Sequence, residues 1–224
     1  MSKEEYFGDW LKLFDPKDFN EGVRNVTSLY KLKHCEPSFK DIFKCFNATP
    51  LEKLKVVMLF QDPYFQKGVA TGIACGNKKS VKNLSPTLNI LKEGAINFEI
   101  PHNFINFDPT LESWCEQGVL LLNTALTVEV NKPLSHKMIW RPFISSLLKN
   151  LSSYDPGLIY VLWGSEAKSF NKFITSSSKI FKMNHPSYYA RNNEKLPPTF
   201  FVELNNTIKF YYNQKIKWYE EVFC

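Results

Sequence analysis

The chain reads as an α/β protein: a three-layer α/β/α sandwich around a central, mostly parallel four-stranded sheet, with an active site at the carboxyl edge of the strands. Three observations predict it. Four short apolar runs, Val56–Phe60, Val119–Leu122, Leu158–Trp163 and the weaker Ile180–Met183, have the length and side-chain type of buried strands. The segments between them are long enough for crossovers and carry helical periodicity, and strands that alternate with helices form parallel sheets. A polar cluster directly follows each run, where open α/β sheets bind their ligands.

Taken in order, helical patterns run first over Tyr6–Phe14 and Asn20–Lys33. They belong to residues 1–34, a segment of one or two amphipathic helices whose Trp10, Leu11, Phe14 and Tyr30 pack on the rest of the chain. The run Val56–Phe60 opens with β-branched residues and is ended by Pro63, which marks it as a central strand covered on both faces. Helices follow over Pro86–Ile96 and Thr110–Gln117, then the second strand, a helix over Trp140–Leu151, the third strand, a helix over Glu166–Thr175, the fourth strand and a last helix over Phe200–Gln214. No repeat, low-complexity tract or Gly/Ser linker interrupts them, and the 13 prolines are scattered through loops, so one domain over residues 1–224 is expected.

Composition narrows the function classes. With 224 residues, 44% apolar and 15% aromatic, the chain can bury one sizeable core. Its 28 basic against 22 acidic residues leave a net +6. Residues 166–195 alone set Lys168, Lys172, Lys179, Lys182, Arg191 and Lys195 against Glu166 and Glu194, a local +4 that permits a polyanionic partner. A solvated lysine-rich surface has the same signature. Cys35, Cys45, Cys75, Cys115 and Cys224 are odd in number, widely spaced and free of any Cys-x-x-Cys, which speaks against a disulfide framework and against a zinc or iron–sulfur site. Reduced thiols inside a cell are expected. Neither a membrane span nor a secretory leader is legible.

The clusters after the strands are Gln61-Asp62-Pro63-Tyr64, Asn123-Thr124, Gly164-Ser165 and His185-Pro186-Ser187. Singly, each has an ordinary explanation: Asp-Pro makes turns, Asn ends strands, and a lone His is more often a satisfied structural residue. Together they place an Asp, a Tyr, an Asn and a His at one sheet edge, a choice that packing alone would not make.

The same residues resemble a known family, the uracil-DNA glycosylases of the first, most widespread class. The likeness runs from about residue 35 to Trp218 through ordered blocks: Phe43-Lys44-Cys45-Phe46, Thr49-Pro50-Leu51, Lys55-Val56-Val57 into Gln61-Asp62-Pro63-Tyr64, Ser85-Pro86-Thr87-Leu88, Gln117-Gly118 through Asn123-Thr124, Leu126-Thr127-Val128, Ser135-His136, Leu162-Trp163-Gly164-Ser165 and His185-Pro186-Ser187. The resemblance implies hydrolysis of the bond between uracil and deoxyribose in DNA, without a metal or organic cofactor, on a base flipped out of the helix. By that likeness Asp62 stays ionised, stabilises the cationic sugar and orients water. His185 donates to uracil O2 from a neutral ring. Asn123 gives to O4 and accepts from N3–H, a pairing cytosine cannot match. Tyr64 stands against C5 and excludes the methyl of thymine, and the Gln61 and Asp62 amides face the base. Ser85-Pro86, Gly164-Ser165 and Ser187 resemble loops that grip phosphates. Implied partners are uracil-containing DNA, single- or double-stranded, and a proteinaceous glycosylase inhibitor or a replication protein, with the chain a monomer. Lys, Asn, Phe and Tyr usage points to an A·T-rich genome, viral or bacterial, so the compartment is cytoplasmic, or nuclear in a eukaryotic cell.

Several positions depart from the pattern. Cys75 stands where the family stacks a phenylalanine on the base, a loss of about 1–3 kcal/mol unless another ring, such as Phe60 or Phe65, takes over. Phe60 and Phe65 themselves replace the family's Gly and His. Tyr188 and Tyr189 replace the Pro-Leu whose leucine wedges into the DNA stack, and Arg191 adds a phosphate contact in that loop. The segment after His136 lacks a glycine before Trp140. These changes keep two further readings open: a glycosylase for a modified or damaged pyrimidine, and a non-catalytic DNA-binding or replication scaffold on the same fold.

Overall fold

The computed structural model describes residues 2–96, 105–175 and 177–221. In chain order the elements are α1 (Lys3–Phe7), α2 (Pro16–Leu32), β1 (Cys35–Glu36), α3 (Lys44–Ala48), β2 (Val56–Phe60), α4 (Pro86–Ile96), β3 (Ile105–Asn106), α5 (Glu112–Cys115), β4 (Val119–Asn123), β5 (Val128–Glu129), α6 (Lys137–Tyr154), β6 (Ile159–Trp163), α7 (Gly164–Lys168), β7 (Lys179–Met183), α8 (Pro186–Asn192), α9 (Phe200–Tyr212) and β8 (Glu220–Glu221), with short 3-10 turns between several of them.

The central sheet has the order β4-β2-β6-β7, and every pairing in it is parallel. β2, β4 and β6 are buried along their whole length because helices cover both faces, which is why they read as unbroken apolar runs. β7 is one of the two outer strands, with Lys179 and Lys182 exposed, a pattern that blunts an open edge and weakens the apolar signal there. From β2 the chain crosses to β4 on one side, then returns past β2 to β6 and β7 on the other. Connections therefore diverge between β2 and β6, and the crevice beyond such a switch point is where these sheets hold ligands.

α2 packs on α6, while α4 packs on α8 and α9. Asp15 caps α2 by accepting the Asp18 N–H, and Pro16 fills its first turn, so the helix starts four residues before the apolar pattern does. α6 likewise outruns its pattern at both ends, whereas several helices are shorter than theirs. Gly8, at φ 51, stops α1 and hands the chain to a 3-10 turn; the predicted helix over Glu166–Thr175 breaks into α7 and a 3-10 turn at Asn171–Phe173; and Thr110–Gln117 keeps helical form only over α5. α8 and the short antiparallel pairs β1–β5 and β3–β8 were not predicted. Among the described residues no helix is long and apolar enough to cross a membrane, and Cys35, Cys45, Cys75 and Cys115 are free.

Candidate active site

Phe60 lies beside Asn123, and Leu59 beside Leu122 and Leu162, so the loops leaving β2, β4 and β6 start level with one another. The end of β2 with the loop after it, the loop after β5, the start of α4 and the start of α8 border a cavity of about 800 Å³, a size typical of small-molecule sites. Of the predicted residues, Gln61, Asp62, Tyr64, Cys75, Ser85, Pro86, His185, Ser187 and Arg191 line it.

Asp62 is partly buried and takes one donor on each carboxyl oxygen: the Leu134 N–H at 2.6 Å on Oδ2 and Gln61 Nε2 at 3.0 Å on Oδ1. Burial raises its pKa above the ordinary aspartate value, these two hydrogen bonds oppose the rise, and the charge of Glu166 adds slightly to it. Leu134 sits at φ 63, a left-handed conformation unusual for leucine. Its contribution is a backbone amide, so no side-chain pattern could have revealed it.

His185 is the N-cap of α8, with Pro186 following it. Its Nδ1 accepts the Ser187 N–H at 3.2 Å and lies 2.8 Å from Ser187 Oγ. A ring nitrogen used as an acceptor carries no proton, which leaves the hydrogen on Nε2. Burial, helped by the positive charge of Arg191, pulls the pKa down to about 4. Near neutral pH the ring is therefore an uncharged Nε2–H donor. Phe60 stands edge-on to it at 6.1 Å and stacks at 5.7 Å on Trp163. Only 1% exposed, Phe60 borders the cavity but is chiefly a packing ring behind the histidine; Tyr64 and Phe65 are the other aromatics on the cavity wall. Gly164, at φ 85, belongs to the same support, because a Cβ there would lie 3.0 Å from the His185 Cβ. It makes room for His185 and does not border the cavity, and Ser165 beside it is exposed.

The opposite wall carries Tyr64, whose hydroxyl donates to the Cys75 carbonyl at 2.9 Å and lies 2.5 Å from Ser85 Oγ. Ser85 Oγ also lies 3.0 Å from the side-chain amide of Asn77. The Ser85 hydroxyl is thus bonded inward, to Tyr64 and Asn77. Asn77 was missed by the sequence reading. Cys75 is buried at φ 63, and burial holds its thiol well above the usual cysteine pKa, so it is an uncharged wall group.

Asn123 ends β4, is 7% exposed and does not itself line the cavity; its Oδ1 is buried without a partner. The two tyrosines of α8 are not equivalent. Tyr188 is exposed, whereas Tyr189 is 8% exposed and packs into the core, so Tyr188 alone of the two is open to solvent. Among the described residues no group of three or more His, Cys, Asp or Glu side chains is placed to hold a metal.

A family model described as the uracil DNA glycosylase superfamily matches residues 46–209. The chain belongs to that superfamily. Among its relatives, the uracil-DNA glycosylase of Fusobacterium nucleatum is 35% identical over 218 residues, covering 94% of both chains, and uracil-DNA glycosylase 1 of Listeria innocua is 35% identical over 207 residues, covering 89% of this chain and 90% of the relative. The crystal structure of mimivirus uracil-DNA glycosylase superposes with a TM-score of 0.73 at 22% identity, covering 96% of this chain and 91% of the other. A variant of the mimivirus enzyme in complex with UGI superposes with a TM-score of 0.74 at 24% identity, covering 97% and 94%.

Proposed function

We propose that the protein flips uracil out of DNA and hydrolyses its N-glycosidic bond, leaving an abasic site for base-excision repair. The observation that carries this reading is His185: a neutral ring with its proton on Nε2, on the same cavity as the carboxylate of Asp62. Breaking the C1′–N1 bond sends its electron pair into the uracil ring, and negative charge gathers on O2. A preplaced neutral donor stabilises that charge without reorganising. The sugar becomes cationic, and Asp62, fixed by Leu134 and Gln61, supplies the compensating charge and orients the water that adds at C1′. Asn123, beside Phe60 at the end of β4, has a buried acceptor with no partner, and turned into the cavity that acceptor would take uracil N3–H.

Ser187, Tyr188 and Arg191 lie at the rim formed by α8 and are the DNA-contacting residues of this reading; Pro86, exposed at the start of α4, lies on the other side. The chain acts inside a cell as a monomer, and a protein inhibitor that grips this rim is a fitting partner. The test is incubation with oligonucleotides carrying one uracil, single- and double-stranded, with thymine and 5-substituted pyrimidine controls, scored as alkali-labile abasic sites. Uracil excision supports the reading. Excision only of a 5-substituted base would favour the second reading, which rests on Cys75 where the family stacks a ring, and no excision at all would sink both.

A further inference from the structure

Tyr64, Ser85, Asn77 and Cys75 form a chain of polar groups that the bond-breaking steps do not use. Tyr64 Oη is 2.9 Å from the Cys75 carbonyl and 2.5 Å from Ser85 Oγ, and Ser85 Oγ is 3.0 Å from the Asn77 amide and takes the Leu88 N–H at 3.3 Å. Asn77 is 1% exposed, and its backbone N–H is anchored on the Pro109 carbonyl at 2.8 Å. Burial holds the Tyr64 phenol well above its usual pKa, so it keeps its proton.

Each hydroxyl has one proton, which makes the order of donation countable. If Ser85 gave its proton to Asn77 Oδ1, Asn77 Nδ2 would stay without a partner, and either Tyr64 would turn its proton to Ser85 and leave the Cys75 carbonyl without a tyrosine donor, or the 2.5 Å contact between the two hydroxyl oxygens would hold no proton. A half-turn of the side-chain amide exchanges its oxygen and nitrogen, which leaves only one buried atom unpaired. The chain then runs in one direction, from Asn77 Nδ2–H to Ser85 Oγ–H to Tyr64 Oη–H to the Cys75 carbonyl. Cys75, turned into the left-handed region at φ 63, is the terminus that receives it.

We infer that Asn77 and Ser85 are positioning residues that clamp the Tyr64 ring through this one-directional chain and so set which pyrimidines the cavity admits. The inference rests on the proposed reading in which Tyr64 faces uracil C5. A methyl group at C5 fits only if the ring retreats, and retreat breaks hydrogen bonds at both sides of Oη. A ring without its clamp can retreat more freely.

The test compares the full-length protein with Asn77→Val, Asn77→Asp and Ser85→Ala, measuring kcat and KM for uracil and for thymine in matched oligonucleotides. All three variants are expected to lower the ratio of uracil to thymine excision by about tenfold or more, the scale on which a pocket discriminates one methyl group. Asn77→Asp is decisive for direction, because a carboxylate can accept from Ser85 but cannot donate to it. If that variant keeps the ratio while Asn77→Val loses it, the donation order is overturned. Ring-flip rates of Tyr64, read by NMR with ring-labelled tyrosine, should rise in Asn77→Val and Ser85→Ala, a readout independent of turnover. Wild-type uracil excision with unchanged ratios and flip rates in every variant overturns the clamp. A wild type that excises no uracil instead overturns the proposed function, and the flip rates then report on the clamp alone.

Discussion

Burial favours the uncharged form of both Asp62 and His185, and hydrogen bonds oppose that at Asp62 alone. Asp62 receives one donor on each oxygen, and His185 has its Nδ1 occupied by the start of α8. Replacing Asp62 with Asn keeps the shape and removes the charge that meets the cationic sugar. Uracil excision should fall by about 10²–10³-fold, the usual scale for losing one preplaced electrostatic group. DNA affinity in a gel-shift assay should change little, and a protein indifferent to the substitution would point to a scaffold. His185 also makes stability depend on pH. Its ordinary pKa of 6.5 is depressed to about 4 in the folded protein, so between those values the unfolded chain takes up a proton that the native ring refuses. Stability is then lost as pH falls from 6.5 towards 4, and the gap corresponds to about 3 kcal/mol at full extent. Urea titrations at several pH values should show a shallower acid loss in His185→Gln than in the wild type; identical slopes would rule out a depressed histidine.

At the scale of elements, the sheet was the most legible part of the chain. Val56–Phe60 and Pro86–Ile96 have the predicted bounds, and the other strands differ by one residue at an end, because periodicity and full burial act on the same residues. Contacts that depend on backbone direction were not legible. The Leu134 amide, the Asn77–Ser85–Tyr64 chain and the burial of Tyr189 leave no trace in spacing or composition, since each arises from how distant loops meet. The resemblance implies a phosphate contact at Gly164, and the packing gives it a second task that spacing does not show, seating His185 at the β6–α7 junction. Gly164→Ala therefore combines a left-handed φ of 85, costing about 1–2 kcal/mol for a residue with a Cβ, with a displaced imidazole. A misplacement of about 1 Å can cost about 10²-fold, so kcat should drop by between about tenfold and 10²-fold with a small change in KM. An unchanged kcat would show that His185 does not depend on this junction.

For the whole molecule, the question is whether residues 1–34 are an appendage or part of the folded unit. The family match begins only at residue 46, yet Phe7, Trp10, Leu13, Phe14, Phe19 and Val26 are all buried in the same core as the sheet. Phe14 meets Phe143 of α6 edge-on at 5.1 Å, the Trp10 indole N–H donates to the Thr49 carbonyl at 2.8 Å, and Asn150 Nδ2 donates to the Leu13 carbonyl at 2.9 Å. Burying such a side chain contributes about 1.5–3 kcal/mol. Six of them rival the entire stability of an ordinary domain, about 5–15 kcal/mol. We therefore propose a single cooperative unit, with the N-terminal segment covering α6 as an integral layer. Removing residues 2–32 should abolish cooperative unfolding in urea, and Trp10→Ala should lower stability by about 3–5 kcal/mol while leaving one transition. Excision by that variant, measured well below its unfolding midpoint, should stay close to wild type, because Trp10 supports the layer behind the sheet and touches none of the groups at its carboxyl edge. A truncated chain that unfolds at the wild-type midpoint would instead make the segment an independent attachment whose apolar face waits for another partner.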